Sequence, residues 1–371
     1  MNSTGQPPNR RKKQPFTGRL ALLSVVVPAA AVLLVYVVFR FLRDINQGLH
    51  PVVQTVSAIV VGVGGFALAY FAVHWLVERY PDWVKEHVQP LVFIGPGIGL
   101  LTWLLFIPTI RTLYLSFLDA RAKRFVGLAN YVTVFTERTL VTALRNNLYW
   151  VVLGTFACVS IGLLIAILAE RSKFERLAKA LIFLPMAISF VAAGIIWRFI
   201  YYYTPGNQPQ IGLLNAIVTA FGGEPQAWTS LVQPWNNFFL IVILIWIQTG
   251  FAMVIFSAAI KGVPDDLLEA GRMDGANEVR IFFSIIIPFI QSTIVAVTTT
   301  IIVFTLKIFD IVIVMTGGQY GTEVIATQFY RQFFTYGNSG VGSTIAIVLL
   351  IAVIPVIIYN LRTFRQEGGF R

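Results

Sequence analysis

Val263–Pro288, VPDDLLEAGRMDGANEVRIFFSIIIP, is the one long polar interruption in the second half of an otherwise very apolar chain. Pro264 suits the first turn of a helix, and Asp265 and Asp266 set negative charge against that helix's positive dipole end. Leu267, Leu268 and Met273 give it apolar anchors beside the acidic Glu269. Gly275 can take the positive φ that ends a helix and reverses the chain. A second helix from about Asn277 then runs back toward an apolar span at Pro288. The spacing predicts a short rigid helix held outside a bilayer, a shape suited to a groove on a soluble partner. That reading requires membrane spans on both sides of the stretch, so the rest of the chain is tested against it.

Of 371 residues, 57% are hydrophobic and only 12% charged, against roughly 25% charged in a soluble domain. Mean hydropathy is +0.75. Apolar runs of about twenty residues recur, each long enough to cross a hydrocarbon core roughly 30 Å thick. The fold class is all-α, a polytopic helical membrane protein with about eight spans near 20–41, 52–76, 91–116, 148–169, 178–200, 237–260, 289–314 and 344–362. The run after Arg10-Arg11-Lys12-Lys13 is too long for the apolar part of a cleaved signal peptide and reads as a retained first span. The organisation expected is a basic N-terminus (1–19), a two-span hairpin (20–89), a six-span core (90–363) with a loop at 261–288, and a tail (364–371).

The net charge of +11 does not call for nucleic acid, because the basic residues flank the spans. With both termini in the cytoplasm, cytoplasmic segments hold 17 Lys and Arg: five in 1–19, two in 77–89, four in 170–180, three in 261–280 and three in 362–371. Outer segments hold eight, five of them between Arg121 and Arg145, and the excess inside supports that orientation. It also places 263–288 in the cytoplasm. Trp75, Tyr80, Trp83, Trp150, Trp197, Tyr201, Tyr202, Tyr203 and Trp235 sit near span ends as an interfacial belt. Cys158 is the only cysteine, and His50, His74 and His87 have no ligand spacing, so neither a disulfide nor a metal site is expected.

No Gly-Lys dipeptide occurs, which excludes a phosphate loop of the G-x-x-x-x-G-K-[ST] kind. Nor does a G-x-S-x-G elbow or an H-E-x-x-H helix. No enzymatic apparatus and no cofactor are expected on this chain, so energy must come from an ion gradient or from another polypeptide.

Val263–Pro288 resembles the EAA loop of permease subunits of binding-protein-dependent ABC importers, in which E-A-A is followed by G after three residues and by I-x-L-P after nine. Glu269, Ala270, Gly275, Ile285 and Pro288 fall on that pattern, and Asp274 and Ala276 flank the glycine as expected. Gly271 replaces the second alanine and Ile287 the leucine. Gly271 is expected to loosen the helix by about 1 kcal/mol relative to Ala. Phe125-Val126-Gly127-Leu128-x-Asn130-Tyr131, Gly212-Leu213-Leu214-Asn215, and Thr316-Gly317-Gly318 followed by Thr322, Tyr330, Phe334 and Gly337 are similar to carbohydrate permeases. The two-span hairpin ahead of a six-span core resembles the maltose-type F subunit and, within that group, the α-glucoside permeases. The long outer domain of the maltose prototype has no counterpart in this chain.

The resemblance implies one of two permease subunits of an ATP-driven sugar importer in the bacterial inner membrane. Its implied partners are a second permease in a heterodimer, two ATP-binding ABC subunits, an extracytoplasmic solute-binding protein, the sugar and membrane lipid. Glu269, Ala270, Gly271, Asp274, Gly275, Ala276, Ile285 and Pro288 would couple to the ATPase. By register with the F subunit, Met186, Phe190, Gln248, Phe251 and Lys307 would line the sugar path. Helix packing alone would also account for Met186 and Phe190, whereas the mid-span amide of Gln248 needs partners. Arg111, Arg198, Lys307 and Asp310 lie in outer thirds of spans, where Arg111 and Arg198 can snorkel. Lys307 is expected to pair with Asp310 at i,i+3 on one helix face, or to line a polar path. A permease for a non-sugar solute, or a gradient-driven secondary transporter with a midplane ionisable relay, is the alternative.

Overall fold

The computed structural model describes residues 18–45, 50–170, 172–206, 208–230 and 233–366. The basic segment 1–17, most of the link between the first two spans and the tail from 367 lie outside the described residues. Two compact units divide at Thr109 and Ile110, whereas the sequence suggests a start of the core near Pro90.

The first unit contains α1 (Gly18–Ile45) and α2 (Pro51–Val77), which pair along their length. Gly65 permits the approach, since a Cβ there would fall 2.5 Å from Val38 Cγ2. The Tyr80 hydroxyl donates to Ser24 Oγ at 2.7 Å, closing one end of the pair. The next helix, α3 (Val84–Leu115), carries on across the boundary between the units. Most of the apolar side chains of these three helices are exposed in the isolated chain, as lipid-facing helices require.

In the second unit α4 (Ala129–Thr136) precedes α5 (Arg138–Glu170). A bent pair follows, α6 (Glu175–Ala187) and α7 (Phe190–Ile200), then α8 (Leu213–Ala220) and α9 (Trp235–Lys261). The centre of the unit is α9 packed along α5. Small residues bring the two backbones together: a Cβ on Gly162 would lie 2.6 Å from Ala252 Cβ, and one on Gly154 would lie 2.9 Å from Leu244 Cδ2. Trp150, Ile241, Leu244 and Ile311 fill one buried cluster, and Cys158, Met253, Phe256 and Ile301 fill another.

Six helices are long and apolar enough to span a membrane, or eight if each bent pair counts as one span. The sequence places all eight but draws two of them straight. The fifth bends by 102° between α6 and α7. Pro185 opens a 3-10 turn, Ile188 turns extended, and Ser189 caps α7 by accepting from the Ala192 amide at 3.2 Å. The seventh begins earlier than expected. Its first part, α11 (Glu278–Phe289), follows the loop helix α10 (Asp265–Met273), and it bends 72° at Ile290 into α12 (Gln291–Leu306). A π turn at Phe282–Ile286 precedes Pro288, whose ring and missing N–H disturb the bonds of the preceding turn. After α12 come the short α13 (Asp310–Met315) and α14 (Ile325–Tyr330), then the last span, α15 (Ser339–Gln366).

Gly250 holds the broken fifth span against α9. A Cβ at this position would lie 2.5 Å from the Ile182 carbonyl oxygen and 2.8 Å from Phe183 Cα. Because both are backbone atoms, no rotamer change relieves the contact. Gly250→Ala is expected to destabilise by about 1–3 kcal/mol, read as a lower thermal midpoint in detergent. Gly95→Ala is the control, as nothing lies within 4 Å of its Cβ position. Equal midpoints for the two variants would count against this packing.

Candidate functional site

The helix α10 buries none of its residues. Pro264 is its N-cap rather than its first helical residue, and Asp265 and Asp266 occupy the first turn, as the dipole favours. At its other end Gly275 has φ +78°. There the Ala276 amide donates to the Gly271 carbonyl and the Gly275 amide to the Arg272 carbonyl, both at 3.0 Å. These two bonds form a Schellman turn, which satisfies carbonyls a helix end leaves open. Arg272 Nε donates to Glu278 Oε1 across the turn at 3.0 Å, and Asn277 caps the next helix by accepting from the Arg280 amide at 2.8 Å. The result is a braced hairpin of two helices with Glu269, Ala270 and Asp274 on its exposed surface. Of the expected apolar anchors, Met273 is 87% exposed and Leu267 is also exposed, so they face outward and not into this chain.

Gly271 has a packing role beyond its effect on helix propensity. A Cβ there would fall 2.8 Å from Ile285 Cδ1. Two positions of the motif, 271 and 285, therefore meet, and the bare glycine lets α10 lie close on the π turn before Pro288.

Beside this hairpin the ends of three helices are joined by charge. Lys179 of α6 binds Glu170 at the end of α5 and Ser257 of α9, and it reaches Glu175 at 2.6 Å. Lys261, the last residue of α9, bonds Glu175 at 2.5 Å and lies 3.4 Å from Glu170. The Ser257 hydroxyl also donates to Glu170. The chain passes directly from Lys261 through Gly262 and Val263 into α10, so the network anchors the point from which the hairpin springs.

The candidate path residues do not form one cluster. Met186 lies in the 3-10 turn before the fifth-span break and Phe190 begins α7, and the break packs on α9, which carries Gln248 and Phe251. Gln248 is 4% exposed, and its amide makes no hydrogen bond among the described residues. Phe190 and Phe251 pack against separate buried clusters. Lys307 lies apart from these four: it is the exposed C-cap of α12, where its charge complements the helix dipole. The expected Lys307–Asp310 pair does not form. The helix ends at Leu306 and a new one starts at Asp310, so the two residues never share a helix face. Arg198 lies in the last turn of α7 and Arg111 one turn from the end of α3, both exposed as snorkelling side chains are.

A model of the family described as "Binding-protein-dependent transport system inner membrane component" matches residues 158–364, a stretch that includes the braced hairpin, the charge network and all five path candidates. The chain belongs to this family. This inner membrane component is 52% identical over 280 residues to the osmoprotective compounds uptake permease protein GgtC of Synechocystis sp., covering 76% of this chain and 100% of that one. It is 42% identical over 336 residues to the alpha-glucoside transport system permease protein AglF of Rhizobium meliloti, covering 85% and 99%. A solved bacterial alginate ABC transporter, in complex with an alginate pentasaccharide-bound periplasmic protein, shares its fold. The TM-score is 0.66 at 19% identity, over 76% of this chain and 96% of that one.

Sequence reasoning missed a polar layer of the inner membrane component at the end opposite the hairpin. Asn146 donates to the carbonyls of Gly321 and Glu323, both at 2.7 Å. Asn147 donates to the Leu306 carbonyl at 3.1 Å and accepts from the Ile325 amide at 2.7 Å. Asn236 donates to the Tyr320 carbonyl at 2.6 Å. These buried amides stitch the starts of α5's apolar run and of α9 to the end of α12 and to the segment between α13 and α14, and they satisfy backbone groups at helix ends and in turns. A signal was present: Asn146-Asn147 and Asn236-Asn237 are twin Asn pairs, each just ahead of a long apolar run. Glu323, buried in the same layer, has its carboxyl pushed above the usual range by burial, against the pull of Thr327 and Arg331.

Proposed function

We propose that this inner membrane component is the permease subunit of an ATP-driven importer for neutral sugars of the α-glucoside or oligosaccharide class. The observation that carries the reading is α10, a braced helix with no buried residue of its own, standing at the foot of α9 beside a charge network. Such a helix is made to be held by another protein. Both termini and the hairpin lie in the cytoplasm, an orientation supported by the excess of Lys and Arg on that side. Glu269, Ala270, Asp274 and Ala276 meet one of two separate ATP-binding subunits. Gly271, Gly275, Ile285 and Pro288 set the angle at which α10 is presented. A second permease completes the pathway, and an extracytoplasmic binding protein delivers the sugar. ATP binding moves α10, and the charge network passes the motion to α5, α6 and α9. Gln248, Phe251, Met186 and Phe190 line the path near the fifth-span break. Lys307 stands at its outer end.

The sugar class rests on the Rhizobium meliloti relative, described as an alpha-glucoside permease. The Synechocystis relative is described as a permease for osmoprotective compounds, which favours a second reading in which the cargo is a compatible solute. A thermal-shift panel on the cognate binding protein separates the two. α-Glucosides and oligosaccharides are expected to raise its midpoint, by the amount mass action sets for a specific ligand. Stabilisation by glycine betaine or by amino acids, with none by sugars, would overturn the sugar reading.

A further inference from the structure

At the end of the second unit opposite the hairpin, a cavity of about 420 Å³ opens between the start of α5 and the Gly318–Tyr336 region. The backbone on one wall is unusual. Gly317, Gly318, Tyr320 and Gly321 all have positive φ, and Tyr320, at +58°, is not a glycine. A bulky residue is held there only when its surroundings over-determine it, and such positions gather at ligand clamps. Here the amide of Asn236 grips the Tyr320 carbonyl and that of Asn146 grips the next one. The Tyr320 ring gains no burial from this: it is 57% exposed and lines the cavity, as does Tyr336, 63% exposed. The floor holds Glu323, buried and paired with Arg331. Gly318 makes that position possible, since a Cβ there would fall 2.6 Å from Glu323 Oε1.

The geometry points to a binding subsite in this cavity for a neutral, polyhydroxylated ligand, one sugar ring or a small polyol glycoside. The inference rests on the proposed orientation, which turns the cavity toward the side from which substrate arrives. Two exposed tyrosines offer flat faces for the apolar side of a sugar ring, and amide and hydroxyl side chains fill the rest of the lining. The charged lining balances, with Glu137 and Glu323 against Arg138 and Arg331. With no net charge in the lining, the site offers an acidic sugar no net attraction to offset the loss of its hydration, so it suits uncharged ligands. The volume lies within the range of small-molecule sites, roughly 300–1,000 Å³. The subsite is separate from Gln248 and Phe251, which lie farther along α9.

The test uses the assembled transporter in lipid nanodiscs, without ATP and without binding protein, and reads saturation-transfer NMR of methyl α-D-glucopyranoside. Tyr320→Gly removes the ring and also suits the positive φ, so the backbone is not strained. Tyr336→Ala removes the second ring. Each is expected to weaken the apparent affinity about five- to ten-fold, with the thermal midpoint unchanged. Glucuronate is expected to give no saturable signal. Equal affinity in both variants, or glucuronate binding as tightly as the glucoside, overturns the subsite; a cavity reserved for a docked protein loop gives the first of these results. Receptor-driven uptake separates the two readings. A transporter that imports glucosides but whose NMR response ignores both tyrosines loses only the subsite. One that imports no glycoside yet shows a tyrosine-dependent signal loses only the proposed cargo.

Discussion

Gly275→Val is expected to cut ATP-driven uptake by about 5–30-fold while the chain stays inserted and assembled. Gly275 sits at φ +78°, and no atom lies within 4 Å of the Cβ position, so the damage is to the backbone alone. A β-branched residue in the left-handed region costs roughly 1–2 kcal/mol, which shifts the balance between the ordered and the frayed turn by a factor of about 5–30. The Schellman bonds from Ala276 and Gly275 are the ones lost, and with them the fixed angle between α10 and α11. Gly275→Asn is the matched control, because asparagine tolerates the same φ, and it is expected to retain most uptake. Glu269→Lys approaches the same surface differently: the residue is exposed and braces nothing, so its reversal leaves the turn intact and disturbs only the partner's view of the helix. Reconstituted uptake and ATPase rates in proteoliposomes measure all three. Valine and asparagine variants that behave alike would remove the turn from the coupling argument.

The second large effect is expected at Lys179. Its side chain and that of Glu170 are each only 17% exposed, and Lys179→Met leaves Glu170 without its nearest cation in a partly dry setting. Breaking such a pair from one side is far more harmful than removing both charges. The thermal midpoint of the assembled transporter is expected to fall by roughly 5 °C or more, and coupled uptake to fall with it. Lys179→Met combined with Glu170→Gln removes the stranded charge, and Lys261 still reaches Glu175 in that background. The double variant is expected to recover most of the stability but little of the uptake, because α5 is then no longer tied by charge to α6 or α9. A double variant as unstable as the single one would mean that Lys179 acts through its packing and not its charge.

Much of this protein is legible in its sequence. Long apolar runs have one reading in a bilayer, so eight spans could be laid out along the chain, although several helices start well before the apolar run does, and Gly275 and Asn277 act where their backbone chemistry says they should. The bends were not legible. Hydropathy averages over about twenty residues and cannot register that Pro185 and Ser189 end one helix and start another within five positions. For the same reason Lys307 and Asp310 were drawn on one face of a helix that ends at Leu306, ahead of both. Gly271 was judged by propensity alone, since its contact with Ile285 depends on how two helices close around a turn. The buried asparagine layer depends on partners more than 150 residues away in sequence for Asn146 and Asn147, a distance that periodicity does not see.

One property of α10 bears on how such a protein changes over time. The helix buries none of its own residues, so substitutions on its outer face carry almost no penalty in folding. On the proposed reading, selection on Glu269, Ala270 or Met273 then comes from the ATP-binding partner, while selection on Gly271, Gly275 and Ile285 comes from the hairpin itself. The segment is a detachable plug in the sense of engineering. Exchanging its outer-face residues with those of a relative should re-address this membrane component to a different motor, with the path through the bilayer left as it was.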